Sequence, residues 1–182
     1  MPKDHFTSDF EAIRQRARAK MMDGAVTDAY LADRWQVVDV LNEVLATEIV
    51  CVLRYKNHYY MANGANSQAA AAEFLEHATQ EQGHVDQVAA RITQLGGNPN
   101  FNPDGLSLRS HAEYKNVDTL EQMIAEDLVA ERIAIETYSE IIRWLGNDDP
   151  TTRIMIEGIL KVEEEHADDL VNLLHRIYGL GI

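Results

Sequence analysis

The sequence predicts an all-α protein built as a four-helix bundle, and three observations lead there. Four stretches carry apolar residues at helical spacing. Each stretch places a Glu, or a Glu and a His, inside its apolar stripe. The four stretches then fall into two matched pairs, each pair reading Glu-x6-Tyr followed by Glu-x-x-His.

The last stretch is the plainest. Ile156, Ile159, Leu160, Ala167, Leu170 and Leu174 form one stripe, with Glu163 and His166 in its middle, three apart on one face. A carboxylate in a core is costly unless it is paired, protonated or bound to metal. A half-exposed helix would explain one such pair. Glu81 and His84 repeat it, flanked by Phe74, Ala78, Val85, Val88 and Ile92. Glu48 lies among Leu41, Val44, Leu45, Val52 and Tyr55. Glu131 lies among Ile124, Leu128, Ile135, Tyr138 and Ile142. Tyr55 and Tyr138 each stand seven residues after their Glu.

The spacings fix the height at which these groups meet. Glu48 and Glu81 are 33 residues apart, and Glu131 and Glu163 are 32 apart. Gly64 and Gly146 lie near the middle of those intervals. Two helical hairpins bent there bring each Glu level with its partner, because rise per residue is constant. Four carboxylates and two imidazoles then surround one point, the ligand set of a carboxylate-bridged dinuclear metal site.

The remaining segments are read around this frame. The 182 residues fit one domain with a sizeable core, and hydrophobic content is 46%. The expected division is an N-terminal helical arm over 1–34 and the bundle over 35–182. Thr7 or Ser8 is the expected cap of a short helix running through Met22, and Asp23-Gly24 ends it. Asp28 to Trp35 is expected to hold another turn or two. Arg14, Arg16, Arg18 and Lys20 form a basic cluster in a nearly neutral segment, which favours a packing arm over a nucleic-acid tail.

The first bundle helix is expected over about Arg34–Ala62, closed by Asn63-Gly64. The second opens at Asn66 or Ser67 and ends at Gly96-Gly97. Residues 97–117 hold two turn signals and form the one long connection. It follows if the second and third helices run parallel, so that a segment must travel the bundle length. Leu106 to Tyr114 is expected to hold a short helix. The third helix opens at Asp118 with Glu121 three later, and ends at Gly146. The fourth opens at Asp149-Pro150 and ends at Gly179.

Four residues near the centre carry open readings. Asp127, one turn before Glu131, is expected to accept the free N–H of a ligand histidine; the alternative is a solvated acid. His77, seven before His84, is either an auxiliary ligand or a core histidine. Cys51 either abuts the site or is core. His58 is read as a polar surface or interface residue.

Composition excludes several classes. Net charge is −14, so phosphate backbones and anionic membranes are poor partners and cations good ones. No apolar run approaches the ~20 residues of a membrane span. One cysteine precludes an internal disulfide or a Cys-x-x-Cys metal knuckle. With no apolar signal region at the start, the cytoplasm is the default location.

The pattern Leu41-Asn42-Glu43 to Glu48 and Tyr55, Glu81-x-x-His84 before Gly96-Gly97-Asn98-Pro99-Asn100, Asp127-Leu128-x-x-Glu131, and Glu163-Glu164-Glu165-His166-x-Asp168 resembles the bacterioferritins and the Dps-like mini-ferritins. The resemblance spans about 39–178. It implies a ferritin-like bundle with a long crossover between helices 2 and 3. It also implies a ferroxidase that oxidises Fe(II) with peroxide or O2 and stores Fe(III) in a hollow homo-oligomeric shell. By the same resemblance Glu81 and Glu163 bridge two irons per subunit, Glu48 and His84 complete one, and Glu131 and His166 the other. Tyr55, Tyr138 and Asp127 stand behind them. Manganese or zinc would substitute in vitro.

Two departures bear on this. Gln82 stands where bacterioferritins place a haem-ligating Met, so haem is not expected. Only 16 residues follow His166, too few for a fifth helix, which favours the 12-subunit shell of Dps-like proteins over one of 24. DNA is not an expected partner. The rival classes are another dinuclear bundle enzyme, such as a manganese catalase or peroxidase, and a non-catalytic Dps-type shell protein.

Overall fold

A computed structural model describes residues 6–62, 64 and 67–179. Its helices are α1 (Phe10–Ala19), α2 (Arg34–Met61), α3 (Gln68–Gln94), α4 (Leu106–Arg109), α5 (Leu120–Leu145) and α6 (Pro150–Tyr178), with a 3-10 turn over Met21–Asp23. No strand occurs among the described residues. The protein is thus all-α, with α2, α3, α5 and α6 as the bundle. Asn63 and Asn66, expected at the first bend, lie outside the described residues.

Polar contacts at the helix ends fix the directions. At the end of α3, Arg91 donates to Asp149 Oδ1 (2.8 Å) and to Thr152 Oγ1 (2.8 Å) at the start of α6. The end of α6 meets the start of α5, where the Tyr178 hydroxyl donates to Glu121. So α6 runs antiparallel to both α3 and α5, and α3 and α5 run parallel. The expected crossover follows. It climbs along α2 in three steps: Asn42 Oδ1 accepts from Asn100 N (2.8 Å), Thr47 Oγ1 accepts from His111 N (2.9 Å), and Arg54 Nη1 donates to the Glu113 carbonyl (3.0 Å). From 42 to 54 that is about 18 Å of helix.

Caps differ from expectation in two places. Helix α1 is capped by Asp9, which accepts from Ala12 N (3.0 Å), and it stops at Ala19 rather than running to Met22. Helix α5 is capped by Thr119 with Gln122 in a reciprocal box, not by Asp118 with Glu121. A Thr hydroxyl with a neutral amide three residues on satisfies the same two free N–H groups. Asp149 caps α6 ahead of Pro150 as expected, accepting from Thr152 N (2.9 Å). The short helix of the crossover spans only Leu106–Arg109, and Asp28 to Asp33 forms no helix.

The arm does not pack through α1, which buries none of its residues on this chain. Val26, Tyr30 and Ala32 pack on the core instead, and the Tyr30 hydroxyl donates to Asp149 Oδ2 (3.0 Å). The core falls into two blocks. Leu41, Val44, Leu45, Val85, Val88, Ile92, Tyr138 and Ile156 belong to one. Tyr55, Phe74, Ala78, Met123, Ile124 and Leu170 belong to the other. Between them lies a layer of buried polar groups.

Candidate dinuclear metal centre

That layer gathers all six Glu and His residues singled out by spacing. Glu48 comes from α2, Glu81 and His84 from α3, Glu131 from α5, and Glu163 and His166 from α6; none is more than 4% exposed. Donor atoms of Glu48, Glu81, His84 and Glu163 lie within 4.8 Å of one another, and so do those of Glu81, Glu131, Glu163 and His166. Glu81 and Glu163 belong to both groups.

The oxygens divide accordingly. His84 Nδ1 lies 3.3 Å from Glu48 Oε2, 3.2 Å from Glu81 Oε2 and 3.1 Å from Glu163 Oε1. His166 Nδ1 lies 3.4 Å from Glu81 Oε1, 3.5 Å from Glu163 Oε2 and 3.8 Å from Glu131 Oε1. Each shared carboxylate therefore offers one oxygen to each group, the disposition a bridging ligand needs.

The two tyrosines act across the bundle. Tyr55, on α2, donates to Glu131 on α5, and Tyr138, on α5, donates to Glu48 on α2. Seven residues carry each ring about 10 Å beyond its own Glu. Helical side chains tilt back toward the N-terminus, so each hydroxyl returns to the layer on the far hairpin's carboxylate. Burial pushes both phenols well above their ordinary range, so they remain donors.

Electrostatics keep protons in the cluster. Burial, then the charge of Glu81, raises Glu48 to about 8. Burial, then Glu48 and Glu131, raises Glu163. Burial opposes ionisation of Glu131 too, but hydrogen bonding from His166 outweighs it and lowers that carboxyl. Burial would lower both imidazoles. The surrounding carboxylates outweigh it and carry His84 and His166 to about 12. Even so, Glu81 Oε1, Glu131 Oε2, Glu163 Oε1 and His166 Nδ1 are buried without a hydrogen-bond partner. Such atoms cost free energy unless a cation meets them. Four carboxylates also balance two divalent cations in charge, so the donor set fits a hard metal pair.

Asp127 is a correction. It is fully buried and takes neither ligand histidine: its Oδ2 lies 2.9 Å from His58 Nδ1 and its Oδ1 3.3 Å from Arg54 Nε. Because α2 and α5 are antiparallel, a residue before Glu131 faces residues after Glu48. His58, read as a polar surface or interface residue, is therefore buried within this chain, and burial raises Asp127 to about 6 against His58 and Arg54. The acceptor for a ligand histidine is Gln80, whose Oε1 lies 2.5 Å from His166 Nε2. Cys51 is core, its Sγ 3.5 Å from Arg54 Nη2, and burial holds the thiol protonated. His77 belongs to neither donor group and stacks on His166, ring centroids 3.9 Å apart. Gln82 is exposed, and its side chain donates to Asp86 Oδ1 (3.3 Å).

Arg54, His58 and Gln80 were not read from the sequence as parts of this layer. Arg54 and His58 had a signal, since both lie on the α2 stripe beside Tyr55. Gln80, on the exposed side of its helix, had none.

Comparison with known proteins agrees with this fold. The sequence matches the ferritin-like domain over residues 38–179. The chain belongs to the ferritin-like family. It is 26% identical over 147 residues to a bacterioferritin of Desulfovibrio desulfuricans, covering 80% of this chain and 78% of that one. It is 30% identical over 144 residues to a nutrient stress-induced DNA-binding protein of Synechococcus, covering 76% and 81%. Among solved structures it is similar to the bacterioferritin-related protein of Bacteroides fragilis, a dodecameric thioferritin. That match has a TM-score of 0.78 and 29% identity, over 82% of this ferritin-like chain and 90% of the other. No helix among the described residues is long and apolar enough to cross a membrane.

Proposed function

We propose that this protein oxidises Fe(II) at the Glu48, Glu81, His84, Glu131, Glu163, His166 centre and stores the Fe(III) inside a homo-oligomeric shell. The observation that carries this reading is the sharing of Glu81 and Glu163 between two donor groups, one oxygen to each. The ferritin-like family and its bacterioferritin and Dps members support it.

Iron is here the substrate. A pair of Fe(II) ions supplies two electrons, enough to reduce one hydrogen peroxide to two hydroxides or one O2 to peroxide, leaving two Fe(III). The chain's residues hold the pair and move protons. Glu48 with His84 would hold one ion, Glu131 with His166 the other, and Glu81 with Glu163 both. Tyr138 and Tyr55 orient Glu48 and Glu131 by hydrogen bonds. Gln80 accepts from His166 Nε2–H and so turns Nδ1 to the cluster. Ligation requires deprotonated carboxylates and neutral imidazoles, so binding releases the protons that Glu48, Glu163, His84 and His166 carry.

Shell assembly is proposed from the dodecameric relative, with 12 subunits expected and 24 the alternative. Replacing His84 or His166 by Ala tests the site. Each variant should fold, hold at most one tight metal ion per chain, and oxidise Fe(II) on the order of 100-fold more slowly. Two tight ions and an unchanged rate in either variant would contradict the assignment.

A further inference from the structure

Helix α1 has an apolar face and nothing on this chain to set it against. Phe10, Ile13 and Ala17 fall on one stripe of the helix, at spacings of three and four. Phe10 is 57% exposed and Ile13 42%; Met21, four residues after Ala17, is 74% exposed. A helix of 10 residues is marginal unless such a face is packed, and α1 buries no residue on its own chain. Its place is nevertheless held. Val26, Tyr30 and Ala32 pack on the core just after it, and Lys20 Nζ donates to Asp28 Oδ1. A cleft of about 770 Å³ lies between α1 and the segment 24–29, lined by Ile13, Ala17, Met21 and Val26 together with Lys20 and Asp28.

The charges say what kind of surface fits this face. Arg14 and Arg18 run along one edge of the stripe, and Arg16 and Lys20 along the other. Between Phe10 and Lys20 stand four basic residues and one acidic, a net +3, so the rest of the chain carries −17. Arg14 meets Glu11 at 3.6 Å, while Arg16 and Arg18 have no acidic partner among the described residues. An apolar centre inside a charged rim is the anatomy of a protein–protein contact. Nucleic acid or an anionic membrane would meet the basic edges but be repelled by the acidic body behind them. A second copy of this chain offers that acidic body as the attractive surface. Area agrees. A compact monomer of 20.5 kDa exposes about 8,800 Å², whereas this chain exposes 11233 Å². The excess is about three times the ~800 Å² that one partner buries in an interface of standard size.

We propose that α1 is a docking helix for a second copy of this chain, its apolar stripe seated on the neighbouring subunit and its two basic edges against that subunit's acidic groups. The inference rests on the shell reading above and assigns one contact of that shell to the arm.

Native mass spectrometry of the full-length protein over a dilution series reads the assembly, and helical circular dichroism reports an intact bundle. Phe10→Asp with Ile13→Asp should dissociate at a concentration at least about ten-fold higher than wild type, with the bundle retained. Arg16→Glu with Arg18→Glu should do the same, and raised salt should weaken wild type more than this variant. Phe10→p-benzoylphenylalanine should cross-link on irradiation to a second chain. Assembly unchanged in both double variants overturns the inference, as does a cross-link confined to its own chain. So does a double variant that assembles as wild type but loses a wild-type hold on duplex DNA or on phosphatidylglycerol vesicles, which makes the occupant nucleic acid or membrane. A wild type that stays monomeric at every concentration overturns the shell reading and this inference with it.

Discussion

At the scale of single residues the proposed centre is a crowded set of buried carboxylates and imidazoles, and its pH behaviour follows. Glu48 has a folded pKa of about 8 against an ordinary value of 4.5. The stability it contributes is complete below the ordinary value and is lost as pH rises through about 8. Glu163 shifts in the same direction. The metal-free protein should therefore melt on the order of 5 °C lower at pH 9 than at pH 6, about 2–4 °C per kcal/mol for a chain of this size. Glu48→Gln, neutral throughout, should flatten that fall, raise the melting temperature of the metal-free protein at pH 9 and weaken metal binding. Saturating Mn²⁺ should remove the fall in wild type, since about 100-fold excess over Kd adds about 2.7 kcal/mol. Melting curves of both proteins, with and without Mn²⁺, check all of this. A metal-free Glu48→Gln variant less stable at pH 9 than wild type would make Glu48 a structural partner. The six Glu and His residues were legible because a buried charge breaks an apolar stripe, and because the break occurs twice. The hydrogen-bond partners were not. Spacing along one helix cannot reveal that Tyr55 serves Glu131, or that Asp127 faces Arg54 and His58 on another helix.

At the scale of elements, helix ends were legible where cap chemistry is strong and ambiguous where neighbours compete. Asp149-Pro150 admits one reading; Asp118 and Thr119 admit two, and the capping box with Gln122 decides for Thr119. The Gly96-Gly97 stop was readable, but its second glycine has a reason that only packing gives. Gly96 takes φ 83° to end α3. A Cβ on Gly97 would fall 2.6 Å from Val38 Cγ1 on α2 and 3.1 Å from Ile92 Cγ2. Val38 is β-branched and has few other rotamers. Gly97→Ala should therefore destabilise the protein by about 1–3 kcal/mol in chemical unfolding, while the metal count stays unchanged. An equally stable variant would mean that the α2–α3 contact is looser than this geometry. The N-terminal arm was read as a packing segment from its near-neutral charge, and it packs on this chain through Val26, Tyr30 and Ala32 rather than through α1.

At the scale of the whole molecule, the near two-fold repeat makes two hairpins build one centre, with the crossover lying along α2 as its consequence. The repeat is imperfect: Gln80 backs His166, whereas Val162, one before Glu163, stands in the matching place for His84. The haem expectation belongs to this scale as well. Gln82 is a poor haem ligand, so protein purified from haem-replete cells should show no Soret band. A stoichiometric haem ligated through residue 82 would contradict that. The central claim is that each chain holds a pair of irons and that many chains together store more. Native mass spectrometry of the full-length protein after aerobic Fe²⁺ loading tests it most directly. The account predicts a closed multimer of the 20.5 kDa chain that first takes up two irons per chain and then many more. A multimer that stops at two irons per chain, or a chain that takes up none, would contradict it.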